Sequence, residues 1–404
     1  MQIGLILAAL QRHRLAALMI ALEIALACAV LCNACFLIAE RMQAMRIDTG
    51  VDEAALAVVR LDGYDESRAT DLNARMLAGL AALPGVQSAS AINAVPFGPR
   101  AGTAGIKLDP EGKHFGGVVD FYVGGPGSLE ALDVRIVAGR APEAGDYQPM
   151  AGFLPSDASV LVTRALAEHL WPGADPLGRE FWMSDWHYRV VGVIDHLAIP
   201  APGSRGPAST EWSVFVPARP GPGLTGNYLL RGEPGRMAAI IDDARTLATR
   251  IAPDAVLVDE ESRTLGELRA RYFEQDRDMT GLLVGVVVAL LLVTALGIVG
   301  LASFWVAQRR KQIGIRRALG ATRGDILRYF QTENFLIVTF GVVLGMVLAY
   351  AINLGLMQRY ELPRLPAMYL PVGAATLWLL GQLAVLGPAR RAASVPPAVA
   401  TRSV

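Results

Sequence analysis

The residues best suited by type to chemistry, Asp185, His187, Asp195 and His196, lie around a predicted β-strand at 188–194. Carboxylates and imidazoles bind zinc when three or four of them converge on one point. The strand separates the two pairs, and its ends lie far apart because a strand is an extended element. We therefore interpret these side chains as solvated residues at the ends of a strand.

A second group of candidate metal ligands, Cys28, Cys32 and Cys35, comprises all the cysteines of the chain. Their spacing of four and three places the thiols on one face of a helix, where a metal-binding cluster is conceivable. Because cysteine also serves as a small apolar residue, the sequence favours a packing role. Glu23 lies in the same apolar run, and we expect it to be hydrogen-bonded between helices, with a proton-relay role as the alternative.

The sequence lacks the motifs of an enzyme that hydrolyses nucleotides or acyl groups. No GxxxxGK[ST] loop is present, and Gly112-Lys113 is followed by His114. The segment 221–226 satisfies GxGxxG, but it follows Pro220 and opens no helix, so we interpret it as a turn. No GxSxG motif occurs either, and no catalytic residue is predicted.

Composition indicates a membrane protein. Of 404 residues, 53% are apolar and 18% are charged, whereas soluble domains have roughly 25% charged residues. The 37 basic residues equal the 37 acidic residues in number. Since binding to phosphates requires a surplus of Lys and Arg, nucleic acid is not expected as a partner.

The sequence contains apolar runs long enough to cross a bilayer, which requires about 20 residues in a helix. The first run stays apolar through 36–38 and is interpreted as an uncleaved span rather than a signal peptide. Small residues one helical turn apart, which favour close helix packing in lipid, occur at Gly281 and Gly285 and again at Gly341 and Gly345. The four runs are 15–39, 279–307, 335–356 and 369–386.

The region 41–277 has mixed charge, many Gly and Pro residues and short β-type runs, which are typical of a soluble α+β domain, here in two lobes. Without cysteines, it must be stabilised by packing alone. A further helix at 261–278 is expected to continue into the second span as a stalk. Strands are predicted at 56–61, 86–91, 118–123, 159–162, 188–194, 214–216 and 228–231, helices at 66–83, 164–170 and 236–251, and loops at 98–105, 141–155 and 199–207.

The predicted architecture is an α+β membrane protein with four transmembrane helices and a large α+β periplasmic domain between the first and second helices. Basic residues mark the cytoplasmic side, and they favour a location there for both termini and for the segment 308–334. The termini contain Arg12, Arg14, Arg390, Arg391 and Arg402, and the segment 308–334 contains seven basic residues. The other short loop has fewer basic residues, Arg359 and Arg364, and these are opposed by Glu361. The predicted domains are 1–40, the flank and first helix; 41–277, the periplasmic domain with its stalk; and 278–404, the permease domain.

The segment 308–334 contains seven basic and two acidic residues, although the chain as a whole is neutral. It predicts a helix to 319 that Gly320 ends, and a capping box, Thr322 to Asp325, that opens the next helix. Ile313, Ile315, Ala318 and Leu319 leave apolar surface on the basic helix. Such a helix either lies on the membrane surface or inserts into a groove of a partner.

This segment, QRRKQIGIRRALGATRGDILRYFQTEN, and the tail PARRAA at 388–393 resemble the signature of MacB/FtsX-type ABC transporter permeases. Runs that are similar to elements of the MacB-type periplasmic domain extend the resemblance over nearly the whole chain; they are 122–126, 138–140, 171–178 and 190–194. Two positions depart from the family pattern. Gln312 replaces a glutamate, and Pro396 replaces the acidic residue before the tail proline.

The resemblance implies a dimeric permease, either a homodimer or a heterodimer with a similar permease, that works with a dimeric cytoplasmic ABC ATPase. ATP and Mg²⁺ are expected in that ATPase, a separate subunit, and no cofactor is expected on this chain. A periplasmic adaptor and an outer-membrane channel are further expected partners. The residues carried over as the coupling element are Gln312, Ile313, Ile315, Arg316, Ala318, Leu319 and Gly320.

The function predicted from these features is that of a bacterial inner-membrane permease subunit acting by mechanotransmission. ATP hydrolysis in the partner moves the periplasmic domain and drives export or extraction of a substrate on the periplasmic side. One alternative is an FtsX-like regulator of a periplasmic enzyme, and another is a membrane-anchored sensor without an ATPase.

Overall fold

A computed structural model describes residues 14–99, 101–360 and 364–396. Arg12, Glu361 and Arg402, which entered the argument on orientation, lie outside these residues. The chain divides into two compact units, one formed by Arg46–Glu274 and the other by the segments that precede and follow it. The divisions predicted from the sequence, 40/41 and 277/278, differ from these by a few residues.

The helices of the described residues account for most of the second unit. Four of them are long and apolar enough to cross a membrane, namely α1, α7, α9 and α10. In chain order the helices are α1 (Arg14–Ala44), α2 (Ala69–Ala81), α3 (Ser128–Leu132), α4 (Arg164–Leu170), α5 (Met237–Ile251), α6 (Leu265–Tyr272), α7 (Glu274–Gln308), α8 (Arg310–Ala318), α9 (Arg323–Tyr360) and α10 (Tyr369–Ala393).

The strands all belong to the unit Arg46–Glu274. They are β1 (Leu56–Asp62), β2 (Val86–Ala91), β3 (Gly102–Lys107), β4 (Phe115–Gly124), β5 (Ile136–Gly139), β6 (Asp157–Thr163), β7 (Glu180–Met183), β8 (Trp186–Ile194), β9 (Ser213–Pro217), β10 (Asn227–Gly232) and β11 (Val256–Leu257). The seven strands predicted from alternating and β-branched runs are confirmed. β3, β5, β7 and β11 were not predicted.

The smaller sheet has the order β11-β1-β10-β2 and is antiparallel throughout. The apolar sides of α2 and α5 and one face of the sheet share a core, in which Met76, Leu80, Tyr228 and Ile240 are buried. The Tyr228 hydroxyl donates to Asn73 Oδ1 at 2.9 Å, so this buried polar group is satisfied.

The larger sheet has the order β5-β8-β6-β9-β4-β3-β7, and β7 also pairs with β8, so that the sheet partly closes on itself. Its β4–β9 and β6–β8 pairs are parallel, and the others are antiparallel. Phe121, Phe181, Tyr188 and Val214 are fully buried in its core. Such closure removes exposed strand edges, which are liable to pair with other chains.

The loop predicted at 98–105 is partly wrong, because β3 begins at Gly102. The run GTAGIK has little β-propensity of its own, and the strand forms because β4 offers a ladder partner from Phe121 to Phe115. Gly102 also leaves room for the ring of Phe153, which occupies the place that a Cβ at this position would take. Tertiary pairing therefore overrides local preference here.

The stalk predicted as one helix over 261–278 is also corrected. The helix starts at Leu265 behind a capping box formed by Thr264 and Glu267, and it ends at Tyr272 before α7 starts at Glu274. The interruption is Phe273, which is 3% exposed and packs against Phe97 with ring centroids 5.5 Å apart. Its burial favours a bend in the chain over a continuous helix.

Arg269 on α6 joins the two ends of the unit Arg46–Glu274. Its guanidinium donates to Glu53 Oε1 at 2.6 Å and to the Ile47 carbonyl at 2.8 Å. It also lies over the rings of Phe97 and Phe273, at 5.2 and 5.9 Å. Phe97 has a φ of +62°, which a bulky residue rarely adopts and which the surrounding packing must maintain.

Replacement of Arg269 by Ala is expected to lower the free energy of unfolding of this unit by about 2–3 kcal/mol, since a partly buried charged network loses its centre. For a domain of this size that corresponds to a fall in melting temperature of about 4–12 °C. The measurement is thermal unfolding of the full chain, followed by intrinsic fluorescence.

Arg271→Ala is the matched control, because Arg271 lies on the same helix and its ion pair with Glu260, which precedes that helix, is largely exposed. It should change the free energy of unfolding by no more than about 0.5 kcal/mol. Equal losses for the two variants would contradict the role assigned to Arg269.

In the second unit, α1 packs closely on α9 and α10. A Cβ at Gly341 would lie 2.8 Å from the Ala21 carbonyl oxygen, and one at Gly345 would lie 2.5 Å from the Cβ of Cys28. On α10, Gly373 faces the Cys32 Sγ, 2.5 Å from its Cβ position. Since lipid is as apolar as the helices, this close van der Waals contact is what holds α1 in place.

Polar groups add to the same interface. The Asn33 side chain donates to the carbonyls of Ala29 and Ala349, at 2.9 and 3.1 Å. The Glu23 carboxylate lies against Gly297 of α7, with Oε2 2.8 Å from the Cβ position of that glycine. By contrast, Gly281 and Gly285 on α7 have open space around them in the described residues.

Replacement of Gly345 by Val is expected to reduce the stability of the membrane unit by about 1–3 kcal/mol, because the added side chain meets the α1 backbone. Gly285→Val, which enters open space, serves as the control and should leave the stability unchanged within about 0.5 kcal/mol. The measurement is the melting temperature of the full chain in detergent. Similar values for both variants would show that the contact with α1 is unimportant.

Candidate functional site

The candidate site is the short helix α8, which follows α7 after a single residue. That residue, Arg309, has φ and ψ of −98° and 8° and interrupts the helix. Its Nη1 lies 3.0 and 2.9 Å from the two carboxylate oxygens of Glu333 on α9. The two side chains are only 12% and 2% exposed, and the guanidinium lies over the ring of Trp305, 5.6 Å from its centroid.

The other end of α8 is attached to the C-terminal end of α10. The Nη1 of Arg317 donates to the carbonyls of Ala393 and Val395, at 3.2 and 2.6 Å. These acceptors belong to the last turn of α10 and the residues beyond it, where helix carbonyls lack intrahelical partners. A cation at this place also interacts favourably with the helix dipole.

One face of α8 is packed inside the unit. Ile313 is 4% exposed and contacts a cluster that contains Val306, Ile326, Phe330 and Ala389. Gly314 is buried beside it. Because α7, α9 and α10 all contribute to this cluster, α8 is held as part of one packed body.

The opposite face of α8 is exposed. We call Gln312, Ile315, Arg316 and Leu319 the coupling stripe, since they follow the spacing i, i+3, i+4 and i+7 of one helical face. Ile315 is 45% exposed and Leu319 is 84% exposed. Arg316 lies over the ring of Tyr329, 4.9 Å from its centroid. Ala318 and Gly320 are exposed next to the stripe.

The helix ends predicted from the sequence are confirmed. Gly320 has a φ of +101°, and its N–H donates to the Arg317 carbonyl while that of Ala321 donates to the Arg316 carbonyl. These are the two bonds of the Schellman motif. Thr322 Oγ1 accepts from the Asp325 N–H at 3.2 Å, and Asp325 Oδ2 accepts from the Thr322 N–H at 3.0 Å, as in a capping box.

The structure divides the residues that the sequence singled out. The coupling stripe, Ala318 and Gly320 lie at the surface, whereas Ile313 is inside and cannot contact a partner directly. The apolar pattern could not distinguish Ile313 from Ile315, because both are isoleucines that flank Gly314 and lie next to polar or basic residues. Sequence reasoning missed Glu333 and treated Arg309 and Arg317 only as markers of topology.

The remaining candidates do not converge on a ligand site in the described residues. Asp195 forms ion pairs with Arg135 and Arg164, and His187 pairs with Asp157 and Glu180 on the neighbouring strands. No group of three or more His, Cys, Asp or Glu residues within the described ranges could hold a metal ion. The glycine-rich segment is a turn closed by the N–H of Leu224 on the Gly221 carbonyl, at 2.8 Å.

Comparison with known proteins bears directly on α8. A family profile described as FtsX-like permease C-terminal matches residues 284–397, which include the whole coupling stripe. The macrolide export ATP-binding/permease protein MacB of Nitrobacter winogradskyi is 27% identical over 249 residues, which are 59% of this chain and 37% of that protein. These findings support an FtsX/MacB-type ABC permease. The chain is also 23% identical over 286 residues to the uncharacterized ABC transporter permease YknZ of Bacillus subtilis. The aligned residues are 68% of this chain and 68% of YknZ.

The permease spans less than half the length of the MacB relatives that it matches. It contains a MacB-like periplasmic domain and an FtsX-like membrane domain. The crystal structure of the periplasmic region of MacB from Actinobacillus actinomycetemcomitans aligns with 54% of the permease and 93% of that region, with 11% identity and a TM-score of 0.36.

The two faces of α8 should respond differently to substitution. Ile313→Ala is expected to destabilise the membrane domain by about 2–4 kcal/mol, since it leaves a cavity in a packed cluster. Ile315→Ala, the same change on the exposed face, should cost less than about 1 kcal/mol. Melting temperatures of the full chain in detergent test this difference, and a larger loss for Ile315 would reverse the assignment of faces.

Proposed function

We propose that this chain is the permease subunit of an ABC-type assembly that acts by mechanotransmission. A cytoplasmic ABC ATPase on a separate chain binds the coupling stripe. Hydrolysis of ATP moves α8 and, through the membrane helices, the periplasmic domain. This movement drives export or extraction of a substrate on the periplasmic side of the inner membrane.

The distribution of basic residues supports a cytoplasmic location for α8. The segment that comprises Arg309, α8 and the start of α9 has seven basic residues, which are Arg309, Arg310, Lys311, Arg316, Arg317, Arg323 and Arg328. Such a density of basic residues in a short connection is typical of the cytoplasmic side. The unit Arg46–Glu274, between the first two spans, is then periplasmic, and both termini are cytoplasmic.

The observation that carries the proposal is the exposure of Leu319 and Ile315 on a helix whose other face is anchored. An isolated amphipathic helix could turn its apolar side into lipid. Here the apolar anchor is Ile313, and the exposed stripe mixes apolar residues with Gln312 and Arg316, which suit a protein groove better than hydrocarbon. A firmly anchored helix with an exposed apolar tip can transmit a push from a partner.

ATP and Mg²⁺ belong to the partner in this proposal, and an ABC permease of this family implies such an ATPase. A dimeric ATPase matches two permease chains, in a homodimer or with a similar permease. An adaptor and an outer-membrane channel complete the proposed route. The MacB relatives are named for macrolide export, and we propose export or extraction here without carrying over that substrate.

The double variant Ile315→Asp, Leu319→Asp is expected to lower the amount of bound ATPase at least about tenfold. Burial of each apolar side chain contributes roughly 1.5 kcal/mol or more to such a contact, and a buried carboxylate opposes it. The tagged full chain is purified from its native membranes. Bound protein carrying a GxxxxGK[ST] motif and ATP hydrolysis are then measured.

Met368→Asp is the matched control, since Met368 is 70% exposed and lies beyond the other end of α9. It should leave the bound ATPase and the rate of hydrolysis unchanged. If the double variant retained full binding, the coupling stripe would not be the docking site. If the unmodified chain brought down a periplasmic enzyme along with the ATPase, a regulatory role would replace export.

A further inference from the structure

We infer that Arg309, Glu333 and Asn334 form a relay that converts displacement of α8 into movement of α9 and α10. None of these residues belongs to the coupling stripe. The relay rests on the proposed function, since it assigns a path for movement that begins when an ATPase binds that stripe. Its members are positioning residues that act through the helices they connect.

The first step is the joint between α7 and α8. Arg309 breaks the helix, so its backbone does not by itself force α8 to follow α7. Its side chain connects both neighbours, because it lies over Trp305 of α7 and contacts both carboxylate oxygens of Glu333 on α9. The Tyr329 hydroxyl, one helical turn before Glu333, lies 3.5 Å from the same Nη1.

The second step of the relay is the contact between α9 and α10, which Asn334, the residue after Glu333, provides. Asn334 is 8% exposed, and its Nδ2 donates to the Gly381 carbonyl of α10 at 2.9 Å. A Cβ at Gly381 would lie 2.8 Å from Cγ2 of Val338 on α9, so the glycine permits close packing of α9 on α10 beside this hydrogen bond. Glu333 and Asn334 therefore contact the α7–α8 junction and α10, respectively, from adjacent positions of one helix.

Burial gives this path its stiffness. A buried ion pair adds little net stability compared with a well-packed apolar pair, because both charges lose their hydration. Separation of the two charges in such surroundings is nevertheless strongly unfavourable. The pair therefore resists displacement of α8 relative to α9. Arg317 similarly ties the far end of α8 to Ala393 and Val395, so α8 is connected at both ends.

The test uses the full chain with its ATPase in lipid nanodiscs. An environment-sensitive dye is placed on Val256→Cys, since Val256 lies in the periplasmic domain and is 64% exposed. The parent chain without Val256→Cys is treated with the same dye. Its fluorescence gives the contribution of dye on the cysteines of α1, which is subtracted. Two quantities are measured for each variant, the amount of ATPase bound and the change in dye fluorescence when ATP is added.

For Glu333→Gln and for Arg309→Gln, we expect ATPase binding within about twofold of the parent and a fluorescence change reduced about tenfold, as expected when a coupling contact is lost. The exchanged pair Arg309→Glu, Glu333→Arg should restore at least half of the change. Asn334→Ala should reduce it while leaving the Arg309–Glu333 pair intact. Rescue by exchange is an effect that simple loss of stability would not give.

A normal fluorescence change in both single variants would overturn the relay. So would parallel loss of ATPase binding and fluorescence change in the single variants without rescue in the exchanged pair, since that pattern indicates a structural role alone. Failure of the parent chain to bind any ATPase would instead overturn the proposed function, and the relay with it.

Discussion

The close approach of α1 to α9 is the constraint on which the membrane domain depends. The helix α1 is separated in sequence from the other spans by the whole unit Arg46–Glu274. No hydrophobic driving force brings apolar helices together in lipid. Contact between backbones supplies the attraction instead, through Gly341 and Gly345. The amide of Asn33 adds a hydrogen bond to α9 where water cannot compete.

The packed body formed in this way gives α8 a fixed support. The buried face, centred on Ile313, belongs to the same cluster as residues of α7, α9 and α10, and Arg309 and Arg317 secure its two ends. The exposed face therefore has a defined position, which a partner can recognise without the entropic cost of ordering a mobile loop. In the proposed function, docking belongs to the exposed face of α8, and transmission belongs to Arg309 beside it and to Glu333 and Asn334 on α9.

The periplasmic domain is likewise a packed body, and its first and last segments are held together by side-chain contacts. Its two sheets have separate cores, but Asn93 connects them. The Asn93 side chain donates to the Phe121 carbonyl and accepts from the Val123 N–H in the larger sheet. The Asn93 carbonyl accepts from the Asn227 side chain in the smaller sheet. Arg269 joins the entry segment at Ile47 to the exit helix α6. The strained backbone of Phe97 lies at that junction and is held by packing on both sides.

Local sequence patterns by themselves determined the four apolar spans, seven strands, the α8 terminus at Gly320 and the Thr322 cap, because each depends on residues within one or two turns or one strand. Resemblance to a known family, rather than local pattern, predicted the residues of the coupling stripe together with Ile313, Ala318 and Gly320 as a coupling element. Only the tertiary structure decided what depends on neighbours distant in the chain. Examples are the strand β3, which exists through its pairing with β4, and the break at Phe273, which its burial against Phe97 favours. The inward position of Ile313 and the pairing of Arg309 with Glu333 belong to the same class, since a sequence shows charges and apolar side chains but not which of them meet away from water.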